Sequence, residues 1–240
     1  MNAIRIKAYQ ETACYTKPFA NKVTETYPLP PYATVKGMIH YLLNANELIP
    51  FSLSIQGDYE SMIIDYRKTY FVKKKEFNMP IILDGLAIET PSFQSMTSMP
   101  LYTHLLYNVN LVIHIKAEEN ILQRILDSFY NRETHISLGR QEDLLRIDEV
   151  KKVKILELDL FGGGQLKHSM YIPTSFIQED ERKRGIPYLL NWTYQIKKGI
   201  REWNQIPTSY VKKNQLIDED FLQESAYRDE DGYIVIWNEA

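Results

Sequence analysis

One cysteine, Cys14, stands alone among 240 residues, so an internal disulfide is excluded and no pair of thiols is available to hold a metal. Long apolar runs are missing as well. No window approaches the ~20 consecutive apolar residues that cross a bilayer. The opening residues Met1 to Lys7 lack the apolar stretch of a secretory signal. A cytoplasmic protein with no membrane partner is expected, and the glycosylation match Asn191-Trp192-Thr193 is then idle. Gly162-Gly163-Gly164 is not followed by the Gly-Lys-Ser/Thr of a nucleotide-binding loop and reads as a flexible connection. Asp143 and Asp148 are spaced like surface acids of a turn, and nothing supplies the clustered ligands of a two-metal site. Neither a metal nor any other cofactor is expected.

An excess of positive charge is also absent. The formal net charge of −3 excludes nucleic-acid binding by bulk charge and leaves only local sites. The charges are unevenly distributed: Lys151 to Lys213 holds twelve Lys/Arg against six Asp/Glu, whereas Asp218 to Ala240 holds eight acids and one base. Arg67-Lys68-Thr69-Tyr70-Phe71-Val72-Lys73-Lys74-Lys75 carries five positive charges and no negative one, with aromatics interleaved that could stack on bases. What is present in quantity is apolar sequence, 44% of the chain, enough for a real core.

Taken in order, Ala3 to Tyr9 alternates, with Ile4, Ile6 and Ala8 on one face and Arg5, Lys7 and Tyr9 on the other, the pattern of a half-buried strand. Tyr27-Pro28-Leu29-Pro30-Pro31-Tyr32 fixes an extended path into a helix, with Thr34 placed to cap it. Val35, Met38, Ile39, Leu42 and Leu43 form the helix's buried stripe, and Lys36 and His40 lie opposite. A short strand near Ser52 to Gln56 and a longer one over Met62 to Val72 follow. The pattern then breaks into a basic, Pro- and Ser-containing insertion, with Asp84-Gly85 as a hairpin turn. Alternation returns in Leu105 to Ile115, with Leu105, Tyr107, Val109, Leu111, Ile113 and Ile115 facing in. Glu118 to Phe129 has the stripe of an amphipathic helix, and Leu156, Leu158 and Leu160 mark another strand. Beyond Phe161, short strand-like runs end in Tyr233 to Trp237.

This order is that of an α+β fold, a ferredoxin-like (RRM-like) βαββαβ unit over residues 1–160. A β-hairpin thumb is inserted at about 73–104, and a small β-rich appendage occupies 161–240. One face of such a sheet packs on the helices; the other is expected to be open, as in modules that lay out single-stranded RNA.

Two stretches carry the chemistry. In Thr134 to Val150, Gly139 can take a positive φ and leave amides facing outward beside the guanidinium of Arg140, an arrangement that suits phosphate and equally a plain helix-to-strand connection. In Pro30 to Ile39, a helix N-terminus offers unpaired amides and Lys36 adds charge; either anion approach or helix–sheet packing accounts for Gly37. His40 with Lys36, one helical turn earlier, is the best local pair for a metal-independent ribonuclease.

Tyr27-Pro28-Leu29-Pro30-Pro31-Tyr32-Ala33-Thr34-Val35-Lys36-Gly37-Met38-Ile39 and Leu138-Gly139-Arg140-Gln141-Glu142-Asp143-Leu144-Leu145-Arg146-Ile147-Asp148, separated by roughly one ferredoxin fold, resemble the Cas five family of CRISPR-associated proteins, close to the type I-B branch. The resemblance covers most of Met1 to Leu160. It implies a RAMP subunit of the Cascade effector complex that grips the 5′ handle of the CRISPR RNA. Such a subunit joins the backbone subunit filament to the large subunit and meets target DNA through the assembled complex in antiviral defence or another RNA-guided process. The insertion would match the family's thumb. On that model Thr34, Lys36, Gly139, Arg140 and Gln141 contact handle phosphates, Gly37, His40 and Arg67 belong to the same surface, and Lys73, Lys74 and Lys75 support RNA along the insertion. No catalytic residue is implied in this branch, where a separate nuclease matures the RNA; relatives in the type I-C branch cleave the repeat themselves.

Overall fold

The computed structural model describes residues 1–20, 22–72, 96–132 and 134–238. Alternating apolar sequence produces the long strand β1 (Asn2–Ala13), followed by the two-residue strand β2 (Val23–Thr24) and helix α1 (Tyr32–Leu42). Strands β3 (Ser52–Asp58), β4 (Ser61–Val72) and β5 (Met96–Lys116) precede helix α2 (Glu119–Tyr130) and strand β6 (Arg146–Glu157). The remainder adds β7 (Gly164–Gln165), β8 (Ser169–Pro173), the long pair β9 (Ile186–Lys197) and β10 (Ile200–Val211), then β11 (Leu216–Ile217), β12 (Tyr227–Asp229) and β13 (Ile234–Val235). This is an α+β chain built on one large sheet ordered β13-β12-β6-β1-β5-β3-β8-β10-β9, with β2 and β4 also paired to β5. Strand β1 lies at the centre, antiparallel to β5 and to β6. Residues beyond 161 extend the same sheet at both ends, since β8 pairs with β3 and β12 pairs with β6.

The helices cover one face. Ile4, Ile6 and Ala8 of β1, with Leu111, Ile113 and Ile115 of β5, pack against Val35, Met38 and Ile39 of α1 and Ile121, Leu122, Ile125 and Phe129 of α2. Burying each of these aliphatic or aromatic side chains stabilises the fold by roughly 1.5–3 kcal/mol relative to exposure, which is why the two helical stripes dock on the sheet.

Four expectations need correction. The face opposite the helices is not open at its centre: Arg5, Ser54, Gln56 and His114 are fully buried beneath the C-terminal segment. Gln56 Nε2 donates to the Ile234 carbonyl at 2.8 Å, and Ala3, Val153 and Ile155 pack against Val235 and Trp237. The acids of this tail act within the molecule, Asp229 and Asp231 accepting from Arg5. Second, Asn108 has φ 52°, a positive value that breaks the alternation of β5. Leu106 therefore joins Val109 in the core and Tyr107 is left half-buried, while Leu105 is buried as expected.

Third, β6 begins at Arg146, well before the leucine alternation at 156–160, and Leu156 is exposed. Its polar residues find partners on neighbouring elements: Glu149 accepts from Arg5, Lys152 reaches Glu119 of α2 at 2.6 Å, and Lys151 reaches Asp231 at 3.3 Å. Fourth, the strand expected over Met62 to Val72 is present as β4 but does not join the helix-backed core. Strands β3 and β4 pair with β5 in one unbroken register, from Ser52 opposite Lys116 to Val72 opposite Met96, so β4 and the first half of β5 form an arm extending from the sheet. The arm exposes Met62, Ile64 and Tyr66. Of the expected insertion at 73–104, residues 73–95, including the turn at Asp84-Gly85, lie outside the described residues.

Candidate nucleic-acid interface

Helix α1 starts earlier than its capping signal. Pro31, at φ −59° and ψ 153°, is the N-cap, and its carbonyl accepts from the amides of Thr34 at 2.9 Å and Val35 at 3.2 Å. A fixed proline φ is preorganised for helix entry, so Tyr32 is the first helical residue and Thr34 sits inside the first turn without capping it. Tyr32 is fully buried, its ring edge-on to Tyr171 and Trp192. That anchor rotates the helix so that Lys36 also turns inward, contrary to its expected exposure.

Lys36 is buried; its Nζ donates to the Trp192 carbonyl and lies 4.8 Å from the Trp192 ring centroid. Burial lowers the pKa of this ammonium. His40 is similarly engaged: Nδ1 lies 2.9 Å from the Lys36 carbonyl and the Ile49 amide donates to Nε2 at 3.0 Å. With Nε2 accepting and Nδ1 facing a carbonyl, the ring carries its proton on Nδ1 and staples the end of α1 to the following loop. Both residues face the same flank of α1, toward β9.

The glycine turn is organised by a carboxylate that sequence reading placed on the surface. Asp143 is fully buried, and its Oδ2 accepts from the amides of Cys14 at 3.0 Å and Arg140 at 2.9 Å. Arg140 closes a bidentate pair on it, Nε to Oδ2 at 3.1 Å and Nη2 to Oδ1 at 2.7 Å, and also meets Glu142 at 3.1 Å. The Asp143 hydrogen bond and charge raise the pKa of Arg140. Its guanidinium and its amide are thus spent inside the turn rather than directed outward. Gln10 Nε2 fastens the turn to β1 by donating to the carbonyls of Leu138 and Asp143, each at 2.9 Å. Gly139 has φ 110°, and a Cβ there would lie 2.9 Å from Asp143 Oδ2 and 3.0 Å from the Cys14 carbonyl. Gly139→Ala is therefore expected to destabilise the fold by about 1–3 kcal/mol, read as a lowered urea midpoint. An unchanged midpoint would show that the turn relaxes freely. Among the described residues the amides of Gly139 and Gln141 have no acceptor.

The fold brings the two stretches together. Thr34, Gly37 and Tyr41 of α1 face His135, Ser137, Gly139 and Gln141 across a cleft of about 460 Å³. Arg67, projecting from the arm, reaches Glu142 at 3.6 Å and Asp65 at 2.7 Å, so Arg67 and Arg140 share Glu142 beside that cleft. Of the predicted residues, then, Thr34, Gly37, Gly139 and Gln141 line one cleft and Arg67 and Arg140 flank it. Lys36 and His40 line a second cleft, on the β9 side of α1. Lys73, Lys74 and Lys75 lie outside the described residues. Sequence reasoning missed His135, Ser137 and Tyr41, whose polar atoms carry no periodic signal. It also missed the β9–β10 hairpin, which Lys198-Gly199 between two aromatic runs could have revealed. Among the described residues no group of three or more His, Cys, Asp and Glu side chains is placed to hold a metal, and no helix is long and apolar enough to cross a membrane.

The family model described as CRISPR-associated protein (Cas_Cas5) matches residues 3–206. The chain belongs to this CRISPR-associated family. The match spans β1 through most of β10 and so contains both stretches that meet at the cleft. No curated protein matches the chain in sequence. Among solved structures, a chain of a CRISPR RNA-guided surveillance complex is similar in fold, with a TM-score of 0.57, 11% identity, and coverage of 89% of this chain and 91% of that one. A CRISPR protein from Archaeoglobus fulgidus gives a TM-score of 0.47 at 11% identity, covering 98% of each chain.

Proposed function

We propose that this family member is a non-catalytic RNA-binding subunit of a type I CRISPR Cascade effector, holding the 5′ handle of the CRISPR RNA and bridging the backbone subunit to the large subunit. The observation that carries the reading is the convergence of α1 and the glycine turn on one cleft, with turn amides that have no acceptor among the described residues on one wall and Thr34 and Gly37 on the other. Amides and hydroxyls position a phosphate backbone without needing net positive charge, which the chain lacks. The order β6-β1-β5-β3, with α1 between β1 and β3 and α2 between β5 and β6, supports reading the core as ferredoxin-like. With the opposite face covered, RNA is assigned to the rim where loops and helix starts meet, not to the flat of the sheet.

Binding without cleavage is supported by the state of the best candidate pair: both ring nitrogens of His40 have backbone partners and the Lys36 ammonium is held by a backbone carbonyl. The test is incubation of the purified chain with labelled repeat RNA, with and without divalent metal. Retention that depends on the 5′ handle, with no cleavage, is expected. Gln141→Glu, placing a carboxylate in the cleft, is expected to weaken handle binding about tenfold, as one lost and one repelled phosphate contact imply. Site-specific cutting abolished by His40→Ala would replace this reading with that of a processing endoribonuclease.

A further inference from the structure

We propose that the second cleft, between α1 and the β9–β10 hairpin, is a nucleobase site for single-stranded RNA, in which Trp203 and Tyr194 stack on a base and Arg201 meets its phosphate. The proposal rests on the RNA-binding reading above and extends it to a part of the chain that reading does not use.

The hairpin is built to project. Lys198 and Gly199, at φ 52° and 76°, make a two-residue turn between the paired Lys197 and Ile200. Two positive φ values in such a turn match the twist of the flanking strands and keep the hairpin regular to its tip. Farther down, Asn204 pairs with Thr193 but Gln205 pairs with Asn191, so Trp192 is an extra, bulged residue. A bulge re-aims the strand around it. Below it, Leu190 and Ile206 face the core; above it, the strand leaves the core and carries Tyr194, Arg201 and Trp203 over α1. The carbonyl of the bulged Trp192 accepts the Lys36 ammonium, which locks the hairpin's base onto the helix.

What the hairpin presents has the chemistry of single-strand recognition. Tyr194 and Trp203 are directly opposite one another, ring centroids 5.1 Å apart at 63°. Tyr194 keeps 41% of its surface exposed, far more than core packing would leave. The Arg201 guanidinium lies 4.6 Å from the Tyr194 centroid and makes no ion pair with a described carboxylate, so its N–H groups are oriented and unspent. Aromatic faces combined with an oriented arginine bind bases irrespective of sequence and the phosphate beside them. The cleft measures about 470 Å³, and its lining also carries Glu47, which repels phosphate, so that Arg201 is its binding partner.

Gly37 supplies continuity. It lines both this cleft and the one facing the glycine turn, and a Cβ built on it meets nothing within 4 Å. A strand leaving the glycine-turn cleft therefore reaches the aromatic hairpin across Gly37, the one position shared by the two clefts, where no side chain stands.

The experiment is titration of the full chain into fluorescein-labelled repeat RNA, with tryptophan emission followed in parallel. Trp203→Ala and Arg201→Glu are each expected to weaken binding about tenfold, and Trp203→Phe, which keeps an aromatic face, to stay within about threefold of wild type. Arg201→Glu should also flatten the salt dependence of binding by about one phosphate contact. Arg201 is exposed and Trp203 half-buried, and unfolding midpoints equal to wild type confirm intact chains; Arg201→Glu keeps the test decisive if Trp203→Ala does not fold. If wild type binds and Gln141→Glu weakens it while Trp203→Ala and Arg201→Glu bind normally, this proposal falls and the handle-binding reading stands. That same result with loss of assembly onto a protein subunit would assign the hairpin to a protein contact and equally overturn the proposal. Repeat RNA that wild type does not bind at all would remove both.

Discussion

Asp143→Ala is expected to cost about 3–5 kcal/mol of stability, the penalty of stripping the partner from a buried ion pair. The carboxylate accepts from two backbone amides and from both arms of Arg140, and none of these donors has a second acceptor within the turn that could replace it. The loss would therefore combine a guanidinium left with only the half-exposed Glu142 and two unsatisfied amides, and it would uncouple the turn from Cys14. A urea titration monitored by tryptophan emission measures it. Asp143→Asn, which keeps one acceptor oxygen but no charge, should lose about half as much. Both variants should lose handle binding beyond what their stability explains, because the wall formed by Gly139 and Gln141 no longer has a fixed shape. An Asp143→Ala protein with a wild-type midpoint would mean that the turn is held by its backbone bonds alone.

The second large effect is centred on the other face of the sheet. Arg5 sits fully buried among Asp229, Asp231 and Glu149, and His114 Nε2 lies 3.1 Å from Asp229 Oδ2. Asp229→Asn is expected to destabilise by about 3–5 kcal/mol, because the buried cation loses the one of its three counter-charges that is itself fully buried. The same cluster makes stability depend on pH. Burial lowers the pKa of His114, with Arg5 and Lys7 adding to that direction and Asp229 opposing it. Burial would raise that of Asp229, but hydrogen bonds from His114, the Tyr233 amide and Arg5 outweigh it and hold the carboxyl well below the usual carboxylate range.

Both depressions act in one direction. A native imidazole that resists protonation contributes its full stability above the unfolded value of about 6.5 and loses it as pH falls. A native carboxyl with a depressed pKa contributes fully above about 3.9 and loses it as pH falls further. The urea midpoint should consequently decline in two stages on acidification, the first beginning near pH 6.5 and the second near pH 4. His114→Gln should abolish the first stage and leave the second. A midpoint that is flat between pH 7.5 and 4.5 in wild type would contradict the assignment.

Legibility followed the range of the interactions. Strand β1, the second half of β5 and both helices were readable because their signal is local: an apolar residue every second position, or every third and fourth, facing a single core. Strand β6 was misplaced because its outward residues are charged and satisfied sideways, Glu149 by Arg5 and Lys151 by Asp231, so no alternation survives in the sequence. Lys36 and Asp143 were assigned to the surface for a related reason. The partner of Lys36 is a carbonyl 156 residues away, and Asp143 accepts from an amide 129 residues earlier. A charge whose partner is distant in the chain looks, locally, like a charge in water. At the candidate site the glycines were the informative residues. They mark where backbone or ligand comes close, whereas Thr34 and His40 named plausible roles that the geometry redistributed.

The covered face of the sheet has a consequence for how the chain comes to be folded. Arg5 and Asp229 are 224 positions apart in the chain, so the strand that holds the cation is made well before the carboxylate that meets it. Until Asp229 is made, the central strand therefore waits with a guanidinium that lacks its fully buried counter-charge, on a surface that is destined for the interior. Pairings this distant close slowly and expose strand edges in the meantime. The segment around Asp229 is thus what commits β1, and a newborn copy stalled before Tyr227 would carry a cation without its buried counter-charge and an uncovered apolar patch that chaperones are equipped to recognise.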